Sequence, residues 1–197
     1  MPRNICVFCG SNSGSKPAHL KLAKSLGQQI AAKQYKLIYG GGGLGLMGGV
    51  ARSAHENGAD VVGIIPNFLC EAEKTFTEAK HIFVPDMHSR KLKMFEEADG
   101  FIVLPGGIGT LEEVIEILSW ARLNLHHKPV VFLSNTGFWD SLIQVFQHMI
   151  KAGFIEQGFS QEILTASTPQ KALDLIEERI ANPIVKEALN LTVTDTV

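Results

Sequence analysis

The sequence predicts an α/β fold: a doubly wound parallel sheet with helices on both faces. Three observations predict it. Apolar runs of strand length alternate with stretches of helical period along nearly all of the 197 residues. The strand candidates are near-continuous hydrophobic runs, such as FIVL at 101–104 and VVFL at 130–133, as strands covered on both faces require. Glycine-rich segments follow several of these runs, at the carboxyl ends of strands where ligands bind in such sheets. The length suits one domain, taken as residues 1–197.

Taken in order, the first strand is 5–9 (ICVFC), followed by a helix over 17–34. A strand at 36–39 and a helix at 46–57 come next, then a strand at 60–65. Residues 67–80 break the alternation and read as a longer loop or short helix, a place where function often resides. The pattern resumes with a strand at 81–84, a helix at 89–98 and a strand at 100–104. A helix at 111–125 follows, with Leu111, Val114, Ile115, Ile117, Leu118, Ala121 and Leu125 as its apolar stripe at 100° per residue. The last elements are a strand at 130–134, a helix at 138–152, a less apolar strand at 162–165 and a helix at 169–181. The tail after about 183 is expected to be poorly ordered.

Composition excludes several classes of function. Hydrophobic residues make up 45% and charged residues 19%, enough for a core and unlike a disordered chain. The formal net charge of -2 offers no basic field for nucleic acid. No run approaches the ~18 apolar residues of a membrane span, and the start MPRNICVFCGS does not resemble a signal peptide. A cytoplasmic protein is expected. Cys6 and Cys9 spell C-x-x-C, but within a strand positions three apart point to opposite faces, so core cysteines are expected. No second Cys/His pair completes a zinc site, the seven histidines form no His-Glu-x-x-His array, and His126 and His127 fall in a loop. Neither a metal nor a cofactor is expected.

Three segments at strand ends carry the ligand signal: Gly10-Ser11-Asn12-Ser13-Gly14, the run from Gly40 to Gly49 that contains Gly42 and Gly43, and Pro105-Gly106-Gly107-Ile108-Gly109-Thr110. The last two each open a helix. Glycine lets backbone N–H groups approach an anion, and a helix N-terminus adds partial positive charge, so a phosphate-bearing ligand is expected. The run from Gly43 to Gly48 fits G-x-G-x-x-G, but a dinucleotide site wants an acid at the end of the next strand, which here ends Ile64-Ile65-Pro66-Asn67. Neither run ends in Gly-Lys-Ser/Thr. A mononucleotide fits better.

On the helix after the last glycine loop, Glu113, Glu116 and Trp120 share one flank, at i, i+3 and i+7. Two carboxylates above a phosphate could work on the sugar of a nucleotide. Thr110-x-x-Glu113 is equally a capping box, and spacing alone favours the cap. Glu112 and Glu116 also suit the positive end of the helix dipole. Upstream, Arg90 and Lys91 sit in the first turn of a helix, where the dipole opposes them. For Lys91 and Lys93 an anionic ligand at the strand edge and a solvated helix face are both open. Arg90 stands out, because its planar fork can grip phosphate or carboxylate at two points. Trp120 and Leu123 lie off the apolar stripe and suggest a contact with a second subunit.

These residues also carry a resemblance. PGGIGTLEE at 105–113 resembles the PGGxGTxxE motif of the LOG ("lonely guy") family, cytokinin riboside 5′-monophosphate phosphoribohydrolases formerly labelled lysine decarboxylases. VFCGS, YGGGGLGLMG, GIIP, MHSRK and SWARLNLHHKPV are similar too, in the family's order, over roughly residues 4–180. The resemblance implies a Rossmann-like fold and a homodimer with its active site near the interface. It implies hydrolysis of the N-glycosidic bond of a purine nucleoside 5′-monophosphate to free base and ribose 5-phosphate. By motif, Arg90 and Glu113 would be catalytic, and Lys91, Gly106, Gly107, Gly109, Thr110, Glu112 and Ser119 would bind substrate. The family places an acid at the ligand after GIIP; Glu73 matches, with Glu71 competing. Gly10, Ser11, Gly42, Gly43 and Glu116 join the binding set from the readings above. Met87, Trp120 or the 67–80 loop could form an apolar pocket for an N6 substituent, and plain AMP would fit without one. The competing expectations are a non-catalytic nucleotide sensor or carrier, and an amino-acid decarboxylase, for whose Schiff base no lysine is well placed.

Overall fold

The computed structural model describes residues 3–183. Seven strands form one parallel sheet: β1 (Asn4–Phe8), β2 (Lys36–Tyr39), β3 (Val61–Pro66), β4 (Lys80–Val84), β5 (Gly100–Val103), β6 (Val130–Leu133) and β7 (Leu164–Ala166). Their spatial order is β4-β3-β2-β1-β5-β6-β7. The register pairs Cys6 with Ile38 on one side and with Phe101 on the other. The chain therefore winds outward in both directions from β1 and β5, the doubly wound arrangement that the sequence predicts. The tail expected to be poorly ordered lies outside the described residues.

Because side chains alternate along a strand, the sheet builds two cores. On one face Ile5, Val7, Leu37, Tyr39, Ile102 and Val131 meet α1 (Pro17–Ala32), α2 (Gly45–Glu56) and α7 (Pro169–Ala181). On the other, Cys6, Phe8, Ile38, Phe101, Val103 and Phe132 meet α4 (Met87–Glu97), α5 (Ile108–Arg122) and α6 (Asp140–Lys151). Cys6 and Cys9 are buried in opposite cores, as the strand reading requires. Full burial of one such Leu, Ile or Phe contributes roughly 1.5–3 kcal/mol, so the two cores dominate stability.

Several helix boundaries move. α5 begins at Ile108, with Gly107 as its N-cap, not at Leu111. Thr110 thus lies inside the first turn, and the Thr110–Glu113 capping box does not form. The same helix ends at Arg122, so Leu125, placed on the core stripe by periodicity, is 66% exposed beyond it; Ile115 is 36% exposed. Trp120 packs within its own chain, edge-on to Phe95 at 5.1 Å between ring centres. The 67–80 segment holds a 3-10 turn (Asn67–Leu69) running into the four-residue α3 (Cys70–Glu73), which ends at Lys74 in the left-handed region. No helix among the described residues is long and apolar enough to cross a membrane.

Candidate active site

A cleft of about 630 Å³ opens at the carboxyl ends of β1 and β5. These are the strands between which the sheet order reverses, the crevice where open α/β sheets bind ligands. One wall is the start of α5. Its first N–H groups have no partner within the helix, no side chain caps it and its first turn carries no acid. A side chain on Gly107 or Gly109 would meet nothing, so this backbone lies open to the cleft. Thr110 is buried directly beneath Gly106. The facing loop, Gly10 to Ser15, adds backbone and small hydroxyl donors. Together these groups form a ready anion site.

The glycine run after β2 has a different task. The first N–H groups of α2 are taken by the carbonyl of Gly10, at 3.0 Å from Leu46 N and 3.3 Å from Met47 N. Gly42 and Gly43 do not line the cleft. They support what does. A Cβ on Gly40 would fall 2.0 Å from Arg90 Nη2, and one on Gly42 would fall 2.3 Å from Glu73 Oε2. The run is glycine because a guanidinium and a carboxylate press against its backbone. Gly43 N–H donates to the carbonyl of Glu73 at 3.0 Å and fixes that segment.

Arg90 projects from the first turn of α4, whose N-cap Asp86 accepts from Ser89 N–H at 2.7 Å. The side chain turns inward and is buried, which explains a cation where the dipole disfavours one. Its Nη2 lies 3.7 Å from Glu113 Oε1. Glu113 is also buried, and burial raises its carboxyl pKa to about 7 although the Arg90 charge opposes the shift. Glu73 lines the cleft as well, its pKa raised by burial against the pull of Arg90, while Glu71 is exposed outside it. Two carboxylates therefore share one guanidinium at this end, beside Met47, Leu69 and Met87.

Of the sequence-derived set, Gly10, Ser11, Glu73, Met87, Arg90, Gly106, Gly107, Gly109, Thr110, Glu112 and Glu113 line the cleft. Lys91 does not: it ion-pairs with Glu112 and, at 3.0 Å, with Glu116, a rim network rather than a lining. Ser119 turns back to the carbonyl of Ile115 at 2.7 Å. Leu69, from the 67–80 loop offered as an apolar pocket, lines the cleft too, as do Cys9, His19, Leu46, Met47 and Phe138, which the sequence did not single out for the site. His19 is buried, contacts Thr136 Oγ1 at 3.2 Å and meets the edge of Phe138. Position after β6 was the available signal for Phe138; one apolar-face histidine in α1 gave none for His19. No group of three or more His, Cys, Asp or Glu is placed to hold a metal among the described residues.

Comparison with known proteins agrees with this architecture. The family described as "Possible lysine decarboxylase" matches residues 47–176. The chain is 42% identical over 193 residues to "Probable cytokinin riboside 5'-monophosphate phosphoribohydrolase LOGL5" of Oryza sativa subsp. japonica, covering 96% of this chain and 78% of that protein. It is 41% identical over 177 residues to the cytokinin riboside 5'-monophosphate phosphoribohydrolase LOG3 of Arabidopsis thaliana, covering 89% of this chain and 82% of that protein. Among solved structures, the molybdenum cofactor binding protein of Rippkaea orientalis shares the fold, with a TM-score of 0.68 at 24% identity over 91% of this chain and 98% of its own. With a matching family region that contains PGGIGTLEE and relatives above 40% identity over most of its length, the chain belongs to the LOG family.

Proposed function

We propose that this protein hydrolyses the N-glycosidic bond of a purine nucleoside 5′-monophosphate, releasing free base and ribose 5-phosphate. The observation that carries the reading is the buried Arg90–Glu113 pair set one turn beyond an uncapped helix N-terminus. The relatives named above act, by their names, on cytokinin riboside 5′-monophosphates.

The phosphate docks on the backbone of 106–109 and the Gly10–Ser15 loop, which anchors the sugar. Cleavage builds positive charge on the ribose. Glu113 meets that charge as a carboxylate and takes the proton of the attacking water. A carboxyl with a pKa near 7 is matched to accepting a proton at neutral pH. Arg90 holds Glu113 in place and offsets its charge. The Lys91–Glu112–Glu116 network braces the cleft rim, and Lys91 can exchange a carboxylate for ligand phosphate. We place the enzyme in the cytoplasm, consistent with three free cysteines, and assign it a homodimeric state through the apolar surface of α4 and α5.

The test is incubation with AMP and with isopentenyladenosine monophosphate, following free base and ribose 5-phosphate. Wild type releases both products, and Glu113→Ala loses turnover by ~10²–10⁴ while still binding AMP. Binding without turnover in the wild type would instead establish a carrier, a reading to which the shared fold of the molybdenum cofactor binding protein gives substance. Decarboxylation through a lysine Schiff base is disfavoured, because no lysine among the described residues lines the cleft.

A further inference from the structure

We propose that Glu73 is a second catalytic residue, the general acid that protonates the departing base while Glu113 serves the water. This rests on the phosphoribohydrolase reading and extends it to the leaving group. The anion site at the start of α5 fixes the phosphate at one end of the cleft, so the base lies towards the other, where Met47, Leu69 and Met87 supply apolar surface. Glu73 stands at that end. Its Oε2 is buried against Gly42 and has no hydrogen-bond partner among the described residues, while the residue lines the cleft. Met47 bridges the two groups, lying 3.1 Å from the Cβ position of Gly40, where Arg90 rests, and 3.2 Å from that of Gly42, where Glu73 rests.

Hydrolysis alone calls for such a group. When the C1′–N9 bond breaks, its electron pair passes to the base, which leaves far more readily if a ring nitrogen gains a proton. Arg90 has none to give. Glu113 must be free to take one from water. Glu112 is held by Lys91 at the rim, and His19 lies with Phe138 and Thr136 towards the Gly10–Ser15 loop. The charged and titratable groups acting on Glu73 and its neighbours are Arg90 from α4, Glu113 from α5, Cys9 after β1, Tyr39 at the end of β2 and Arg52 from α2. Burial raises the Glu73 carboxyl pKa against the pull of Arg90. In the step, the Glu73 proton moves to the base, water oxygen bonds to C1′ and a water proton moves to Glu113. One proton returned from Glu113 to Glu73 through solvent resets the enzyme, and no oxidant or reductant enters.

The experiment compares wild type, Glu73→Gln and the exposed neighbour Glu71→Gln on AMP and on 7-methyladenosine 5′-monophosphate, whose leaving group already carries a positive charge. Glu73→Gln should lower kcat on AMP by ~10²–10⁴ and on the methylated nucleotide by less than ~10-fold. It should also lose the alkaline limb of the kcat–pH profile on AMP, while Glu71→Gln matches wild type. Equal losses on both substrates would overturn the proposal and make Glu73 a binding group. If wild type rejects the methylated nucleotide, the limb decides: its survival in Glu73→Gln overturns the assignment and its loss supports it. Failure of wild type to cleave AMP would strike the parent reading instead.

Discussion

Glu113 shows how burial and a counter-ion compete at a single residue. A guanidinium 3.7 Å away favours the carboxylate, yet the carboxyl pKa sits near 7 because the pair has little water to share. Since this folded-state value exceeds the ordinary 4.5, the folded protein binds a proton that the unfolded chain releases. The contribution to stability is full below about pH 4.5 and is lost as pH rises to about 7. At ~1.4 kcal/mol per unit the loss is about 3 kcal/mol. Urea unfolding at pH 5 and pH 8 should show wild type losing stability over this interval and Glu113→Gln losing distinctly less; parallel slopes would refute the assignment. Gly42 offers a second prediction. Gly42→Ala sets a Cβ 2.3 Å from Glu73 Oε2, so Glu73 must move. Turnover should fall at least ~10-fold with a stability change under about 2 kcal/mol, because the displaced carboxylate is half-buried and the one core contact tightened, Met47 at 3.2 Å, is with the end of a flexible side chain.

At the scale of elements, close approach between helices sets the tolerance of the fold. Gly27 in α1 faces α2 so closely that a Cβ would lie 2.6 Å from the carbonyl oxygen of Val50 and 2.7 Å from Ala54 N. Alanine would gain about 1 kcal/mol of helix propensity, but both obstacles are backbone atoms and cannot swing aside. Overpacking of that kind costs about 1–3 kcal/mol, so Gly27→Ala should be net destabilising, read as a lower urea midpoint with an unchanged slope. The elements themselves were legible in the sequence, since strands covered on both faces and amphipathic helices carry strong periodic signals. Boundaries were less so. Thr110 and Glu113 match a capping box in spacing, but a chain leaving β5 through Pro105-Gly106-Gly107 already turns helical at Ile108, and the cap passes to Gly107. Similarly, the run from Gly40 to Gly49 reads as a phosphate loop. Its glycines instead make room for Arg90 and Glu73, which arrive from positions 50 and 31 residues further along the chain. Local pattern holds no record of such tertiary contacts. His19 and Trp120 were opaque for the same reason, being defined by Thr136, Phe138 and Phe95.

For the whole molecule, the sheet order puts the divergent ends of β1 and β5 beneath one cleft and leaves α4 and α5 side by side at its edge. That edge exposes Met87 at 37%, Leu92 at 42% and Leu123 at 59%. Met87 is both exposed and part of the cleft lining, so a partner that covered it would border the site. The homodimer proposed through α4 and α5 would do both. Sedimentation at micromolar concentration should show a dimer for wild type and a monomer for Leu92→Glu combined with Leu123→Asp. Neither side chain reaches the cleft lining, so any loss of AMP cleavage in the double variant arises from separation of the subunits. Activity that recovers with rising protein concentration would tie catalysis to assembly. A double variant that remains dimeric would move the interface to another face, such as α6, where Val145 and Met149 are also exposed.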